Sequence, residues 1–118
     1  MHSIELFWNI GKQIYLYQHK TENICEKLSH YYSYAYGNSH LFSLTNIHYM
    51  RLLFLDYPVF YHDLEKVSWK QYCLLFQIIN KKERYFYYRL CLWFRCNDSE
   101  FTWMIHNHYY QRLLSFDI

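Results

Sequence analysis

The stretch SLTNIHYMRLLFLDYP, Ser43 to Pro58, decides the fold class. Ser43 is a short polar residue able to accept the unpaired N–H groups at a helix start, and Pro58 biases the residue before it away from helical geometry. Between these two signals Ile47, Met50 and Phe54 recur at three- and four-residue spacing, which places them on one inward face of a helix ending near Tyr57. Thr45, His48, Tyr49 and Leu52 fall on the outward side. Arg51 lies four residues after Ile47 and three before Phe54, so it points toward the packed side. There an ion pair with Asp56, Asp63 or Glu65 is the expected way to hold its charge.

The same signals recur on either side. Ile4, Phe7, Trp8, Gly11, Ile14 and Tyr15 form one stripe and predict a first helix from about Ser3 to Gln18. Gly11 inside that stripe disfavours the helix, which implies that another helix packs close against it. Thr21 to Tyr36 reads as a second helix with Thr21 as its N-cap, Ile24, Leu28, Tyr31 and Ala35 on its apolar face, and Gly37-Asn38 as its stop. After a connector from Val59 to Val67, Ser68 caps a helix whose apolar face is Tyr72, Leu75, Phe76 and Ile79. Asn80 with Glu83, and Asn97 with Glu100, make two capping-box patterns, which start helices from about Lys81 to Arg95 and from Asp98 to Leu114. The expectation is an all-α bundle of about six helices forming a single domain over residues 1–118. With 2 Gly and 1 Pro in 118 residues, the many tight turns of a β-rich domain are not available.

Hydrophobic residues make up 53% and charged residues 19%, a balance that supports a packed core and excludes a disordered tail. The greasiest run is interrupted by Arg51 and Asp56, so no membrane span is expected. Cys25, Cys73, Cys91 and Cys96 contain no CxxC pair, and no leader is expected before them. They read as buried thiols of a reducing, cytoplasmic compartment. Aromatics reach 24%, which suits base stacking or large interfaces, and equally a genome rich in A·T codons. The net charge of +2 hides an asymmetry: Lys66 to Arg95 holds seven basic residues against one acid, Glu83. A field of that sign attracts polyanions, nucleic acid first, although such runs also occur as solvated helix faces.

The sequence offers no catalytic constellation. Glu65-Lys66 and Glu26-Lys27 are adjacent, whereas a metal-dependent nuclease needs its carboxylate and lysine on successive turns of a strand. His106 and His108 stand two apart on a helix and point to different sides, so no metal site is expected. No glycine-rich phosphate loop can be built from Gly11 and Gly37. What remains is a second helix, a break at Gly37 and a third helix with polar and aromatic residues outward, a loose helix-turn-helix pattern. The segment from Gly37 to Phe42 is longer than the usual turn, and two packed helical hairpins give the same pattern.

LFWNIGKQI (Leu6 to Ile14), KLSHYY (Lys27 to Tyr32), FSLTNIHYMRLLFLDYP (Phe42 to Pro58), VSWKQYCLLFQI (Val67 to Ile78), ERYFYYRL (Glu83 to Leu90) and YYQRL (Tyr109 to Leu113) occur in order. Together they resemble the N-terminal domain of the YhcG family, a bacterial domain of unknown function with a helix-turn-helix-like or winged-helix-like module that precedes a PDDEXK nuclease domain. The resemblance implies a DNA-associated role, with cleavage by a C-terminal domain that this chain is expected to lack. The chain departs from the family pattern at Leu44 and Thr45, where members carry basic residues, and at Cys96-Asn97, where they carry Trp-Ser.

The reading of the sequence is therefore a non-catalytic DNA-binding module associated with a nuclease. The expected contacts are Thr45, Asn46, His48 and Tyr49 on the third helix, with Lys70, Lys81, Lys82 and Arg84 on phosphates. Trp8, Gly11, Arg51 and Trp69 are assigned structural roles. Nucleic acid, as duplex DNA, is the expected partner, together with a nuclease domain or subunit, or a second copy of the chain. No cofactor is expected. The alternative is a protein-interaction or dimerisation module, motivated by the excess of Tyr, Trp and Phe.

Overall fold

The computed structural model describes residues 3–115. They form α1 (Ile4–Tyr17), α2 (Ile24–Tyr36), α3 (Leu44–Asp56), a 3-10 helix (His62–Lys66), α4 (Trp69–Leu75), α5 (Lys81–Phe94), α6 (Asp98–His106) and α7 (Tyr109–Leu114), with no strand among the described residues. The all-helical class is as expected. The chain divides into two compact units, Met1–Tyr61 and His62–Ile118.

In the first unit α1 and α3 form the most extensive helix pair, and α2 packs mainly on α3. Ser3 accepts the Leu6 N–H at 3.2 Å and Ser43 the Asn46 N–H at 3.3 Å, which satisfies one orphan donor at each helix start. The core is built from Phe7, Ile10 and Ile14 of α1, Phe42 before α3, and Ile47, Met50 and Leu53 of α3. At Gly11 the backbones of α1 and α3 approach closely. A Cβ placed there would collide with the Met50 carbonyl oxygen, lie 2.8 Å from its carbon and 3.0 Å from Phe54 Cβ. The Trp8 indole N–H donates to the Tyr57 carbonyl at 2.7 Å, and its ring stands 5.3 Å from Phe54 and 5.7 Å from Phe60. One side chain thus ties α1 to the chain as it leaves α3.

The second helix differs from its expected form. It begins at Ile24, not at Thr21, and its N-cap Asn23 is left-handed (φ 56°) with no side-chain cap. None of its residues is fully buried, and Tyr31 and Ala35, expected inward, are exposed. The packed flank is turned toward Tyr32 instead. Tyr32 stacks on Phe42 at 5.6 Å and its hydroxyl accepts from Gln13 Nε2 at 3.2 Å, while Ser29 Oγ donates to the Phe42 carbonyl at 2.6 Å. Hydrogen-bonding side chains therefore set the rotation of α2, which an apolar count does not see. Tyr15, at the end of the α1 stripe, is likewise 49% exposed, with its ring against Phe54.

In the second unit the caps fall where expected, although the expected Asn80–Glu83 box is only half formed, the Glu83 side chain turning to Gln111. Ser68 with Gln71 and Asn97 with Glu100 form reciprocal capping boxes, and the Asn80 side chain accepts the Glu83 N–H at 2.9 Å. Tyr72, Tyr87, Phe101, Leu64 and Val67 are fully buried. The Tyr72 hydroxyl donates to the Leu64 carbonyl at 2.6 Å, and Gln71 Nε2 donates to the Cys96 carbonyl at 2.8 Å. Buried polar groups that find partners in this way fix the loops at the core margin. Two expectations fail here. Helix α4 closes at Leu75 and tightens through the Gln77 and Ile78 N–H groups, so Ile79 is 96% exposed and not on a core face. The last helix is broken at Asn107 and His108, the latter left-handed (φ 54°), which gives α6 and α7 where one helix was expected. The Tyr110 N–H at the start of α7 donates to the buried Tyr87 hydroxyl at 3.0 Å, a tertiary partner the straight helix would not reach.

Candidate functional site

Helix α5 carries the most chemistry on its surface. Its buried residues are Tyr87, Tyr88, Leu90 and Cys91. Lys82, Tyr85, Arg89 and Trp93 follow at three- and four-residue spacing on another flank, and all four are exposed. The Arg89 guanidinium lies 4.4 Å from the centre of the Trp93 ring and 5.7 Å from that of Tyr85, so a cation sits against two aromatic rings. Lys82, Tyr85, Phe86, Arg89, Leu90 and Trp93 line a cleft of about 210 Å³.

The electrostatics of this helix run against its dipole. Lys81 and Lys82 occupy the first turn, the positive end, where cations are unfavourable. Neither lysine pairs with a carboxylate among the described residues. Glu83, the only acid between Lys66 and Arg95, accepts from Gln111 Nε2 of α7 at 2.7 Å. The acid is thereby held by a neighbouring helix, and an anion arriving at this turn would meet both the helix dipole and two ammonium groups.

The expected site residues divide between the two units. In the first, Thr45 and His48 are exposed on α3. Asn46 is half-buried and its amide donates to the carbonyls of His40 and Leu41, at 3.3 Å and 3.0 Å, so it shapes the loop before α3. Tyr49 is half-buried, contrary to its outward assignment, as is Leu52. Helix α3 is held by both α1 and α2, which leaves it a narrow open strip. In the second unit Lys81 and Lys82 are exposed on successive positions of α5, and Lys70 is exposed on α4 in a hollow shared with Asp98. Arg84 is half-buried, with its guanidinium donating to the carbonyls of Ile78 and Ile79 at 2.8 Å and 3.0 Å. It closes the loop between α4 and α5.

Of the residues assigned structural roles, Trp8 and Gly11 join α1 to α3 as described, and Trp69 is half-buried with its ring 6.3 Å from Tyr72. Of the acids expected to pair with Arg51, Asp63 forms a salt bridge with Lys66 at 2.8 Å. Arg51 acts on Cys25, whose thiol is pushed up by burial and by Glu26 and drawn back down by the guanidinium. Cys25 Sγ lies 4.0 Å from Nδ1 of His48. The net shift is upward, which disfavours the thiolate at this position.

Sequence reasoning missed Tyr85, Arg89 and Trp93. The signal was present as Tyr, Arg and Trp at successive i, i+4 positions beginning three residues after Lys82. A second hollow, about 670 Å³, lies along Asn23, Glu26, Lys27, His30, Tyr31 and Tyr34. All six belong to α2 or its cap, just as the six that line the α5 hollow all belong to α5; the α5 flank differs in holding a guanidinium against two exposed rings. The family model of the DUF1016 N-terminal domain matches residues 1–112. The chain belongs to this family. The matched region covers the first unit and the second as far as residue 112, so the α5 cleft lies inside the DUF1016 N-terminal domain. No curated protein and no solved structure matches the chain.

Proposed function

We propose that this DUF1016 N-terminal domain is a non-catalytic DNA-binding module that holds its polymer on the exposed flank of α5, and that it serves a PDDEXK-type nuclease domain or subunit. The nuclease association rests on the ordered YhcG-like blocks of the sequence. The observation that carries the binding is the α5 flank itself: Lys81, Lys82 and Arg89 are exposed, and the single acid of that segment is bound elsewhere by Gln111. Arg84 is engaged with two carbonyls, Lys66 with Asp63, and Lys70 shares its hollow with Asp98, so within α5 itself about three cations, Lys81, Lys82 and Arg89, remain for phosphates.

Three phosphate contacts correspond to a log–log salt slope of about −3 on duplex DNA, shallower than the value of about −5 for the five or six contacts that the basic segment offers on paper. Fluorescence anisotropy of a labelled duplex at several salt concentrations measures this slope directly. The double variant Lys82→Glu, Arg89→Glu is expected to abolish most of the salt-dependent binding. Undetectable binding at low ionic strength, or a slope near zero, refutes the reading.

A second reading, a protein-docking module, has one specific observation behind it. Trp103 is 58% exposed and lines a hollow of about 460 Å³ with Cys96, Ser99, Glu100 and Met104, the kind of aromatic anchor enriched at interface hot spots. Light scattering of the wild type and Trp103→Ala distinguishes the two. A monomer that is unchanged by the substitution speaks against self-association.

A further inference from the structure

We propose that the α5 cleft receives an unpaired nucleobase, so that this domain binds single-stranded nucleic acid in preference to duplex; the inference rests on the nucleic-acid reading above. A duplex offers a protein its phosphates and the edges of its bases, while the base faces are stacked on one another and out of reach. Aromatic rings held open on a helix flank have nothing to stack against in a duplex, but they suit a strand whose bases are splayed out. Trp93 is 64% exposed and Tyr85 51% exposed, two turns apart on the same flank, with the Arg89 guanidinium against both rings.

The size and charge of the cleft point the same way. Its volume of about 210 Å³ is below the range of pockets that enclose a drug-sized ligand, and its lining comes from α5 alone, so it offers a shallow seat for one ring face and not an enclosing pocket. Four of its six lining residues are Tyr85, Phe86, Leu90 and Trp93, so its walls are apolar, while Lys82 and Arg89 stand at hand for the phosphates that flank a bound base. Stacking of a base on an aromatic side chain outweighs an exposed cation–π contact, so a base can displace the guanidinium from the indole and release it to a phosphate. Lys81 and Lys82 at the positive end of α5 extend the cationic track along the helix.

The test compares labelled oligo(dT), oligo(rU) and a hairpin duplex by anisotropy at one low salt concentration, with the full chain as wild type, Trp93→Ala, Trp93→Phe and Trp103→Ala. Either single strand is expected to bind more tightly than the duplex, and the stronger of the two identifies the sugar. Trp93→Ala should weaken single-strand binding by about 5- to 100-fold and leave duplex binding within about 2-fold, because only the stacked base is lost. Trp93→Phe should recover most of the loss, since it restores a ring face, and Trp103→Ala should change nothing. Duplex bound as tightly as single strands, or equal losses on both with Trp93→Ala, overturns the base-binding cleft while leaving the phosphate contacts standing. Failure of every nucleic acid to bind overturns both.

Discussion

Gly11→Ala tests a close contact between α1 and α3, and two effects of opposite sign compete there. Alanine is the better helix former, by about 1 kcal/mol. Against that, the added methyl meets the Met50 carbonyl oxygen, its carbon at 2.8 Å and Phe54 Cβ at 3.0 Å. The first two obstacles are backbone within a hydrogen-bonded helix, so no side-chain rotation relieves them and α3 must move as a body. Ile47, Met50 and Leu53 are all 0% exposed, so displacing α3 opens gaps across the core, at a cost of about 1–3 kcal/mol. The same movement stretches the bond from Trp8 Nε1 to the Tyr57 carbonyl, about 0.5–1.5 kcal/mol more. Packing exceeds propensity, and the net expectation is destabilisation by about 2 kcal/mol, or about 1 M in the urea midpoint at a slope of about 2 kcal/mol per M. Gly37→Ala is the companion measurement. Nothing lies within 4 Å of a Cβ at Gly37, but its φ of +64° costs an L-residue about 1–2 kcal/mol, a penalty that Gly37→Asn should largely avoid. A Gly11→Ala protein as stable as wild type, or more so, refutes the packing argument.

Tyr72→Phe removes the hydroxyl that donates to the Leu64 carbonyl at 2.6 Å and leaves that buried acceptor unpaired, so a loss of about 1–3 kcal/mol is expected in thermal or urea unfolding. The thiols provide a pH test: burial pushes Cys91 up to about 12 and Cys73 to about 11, from an ordinary value of 9.0. Iodoacetamide at pH 8 should therefore label Cys73 and Cys91, the thiols pushed up furthest, more slowly than Cys25 and Cys96, as read by mass spectrometry of peptides. Above pH 9 the unfolded chain loses these protons while the folded chain keeps them, so stability should fall from pH 9 toward 12. A flat profile across that window counts against burial as the cause.

The helix starts at Ser43, Ser68, Asn80 and Asn97 were legible because a cap is a local transaction between a short polar side chain and the N–H groups of the next turn. Where a start lacks that chemistry, as at left-handed Asn23, the sequence pointed instead to Thr21. The break at Asn107-His108 was not legible either, since it is fixed by Tyr87 of another helix. The candidate site behaves in the same way. The basic segment from Lys66 to Arg95 is visible as a string of letters, but which cations are open to solvent depends on neighbours, as the carbonyls of Ile78 and Ile79 at Arg84 demonstrate.

The sequence by itself determined that this protein is all-helical, where most of its helices begin, and that its positive charge is concentrated in one segment. Those properties depend on spacing and on contacts within a few residues, which the order of the chain dictates. Tertiary structure decided the rotation of α2, the division of the last helix, the placing of Glu83 against Gln111 and the exposure of Tyr85, Arg89 and Trp93 as one flank. Each of these is a choice between faces of a helix, and a face is buried or left open only by what packs on it.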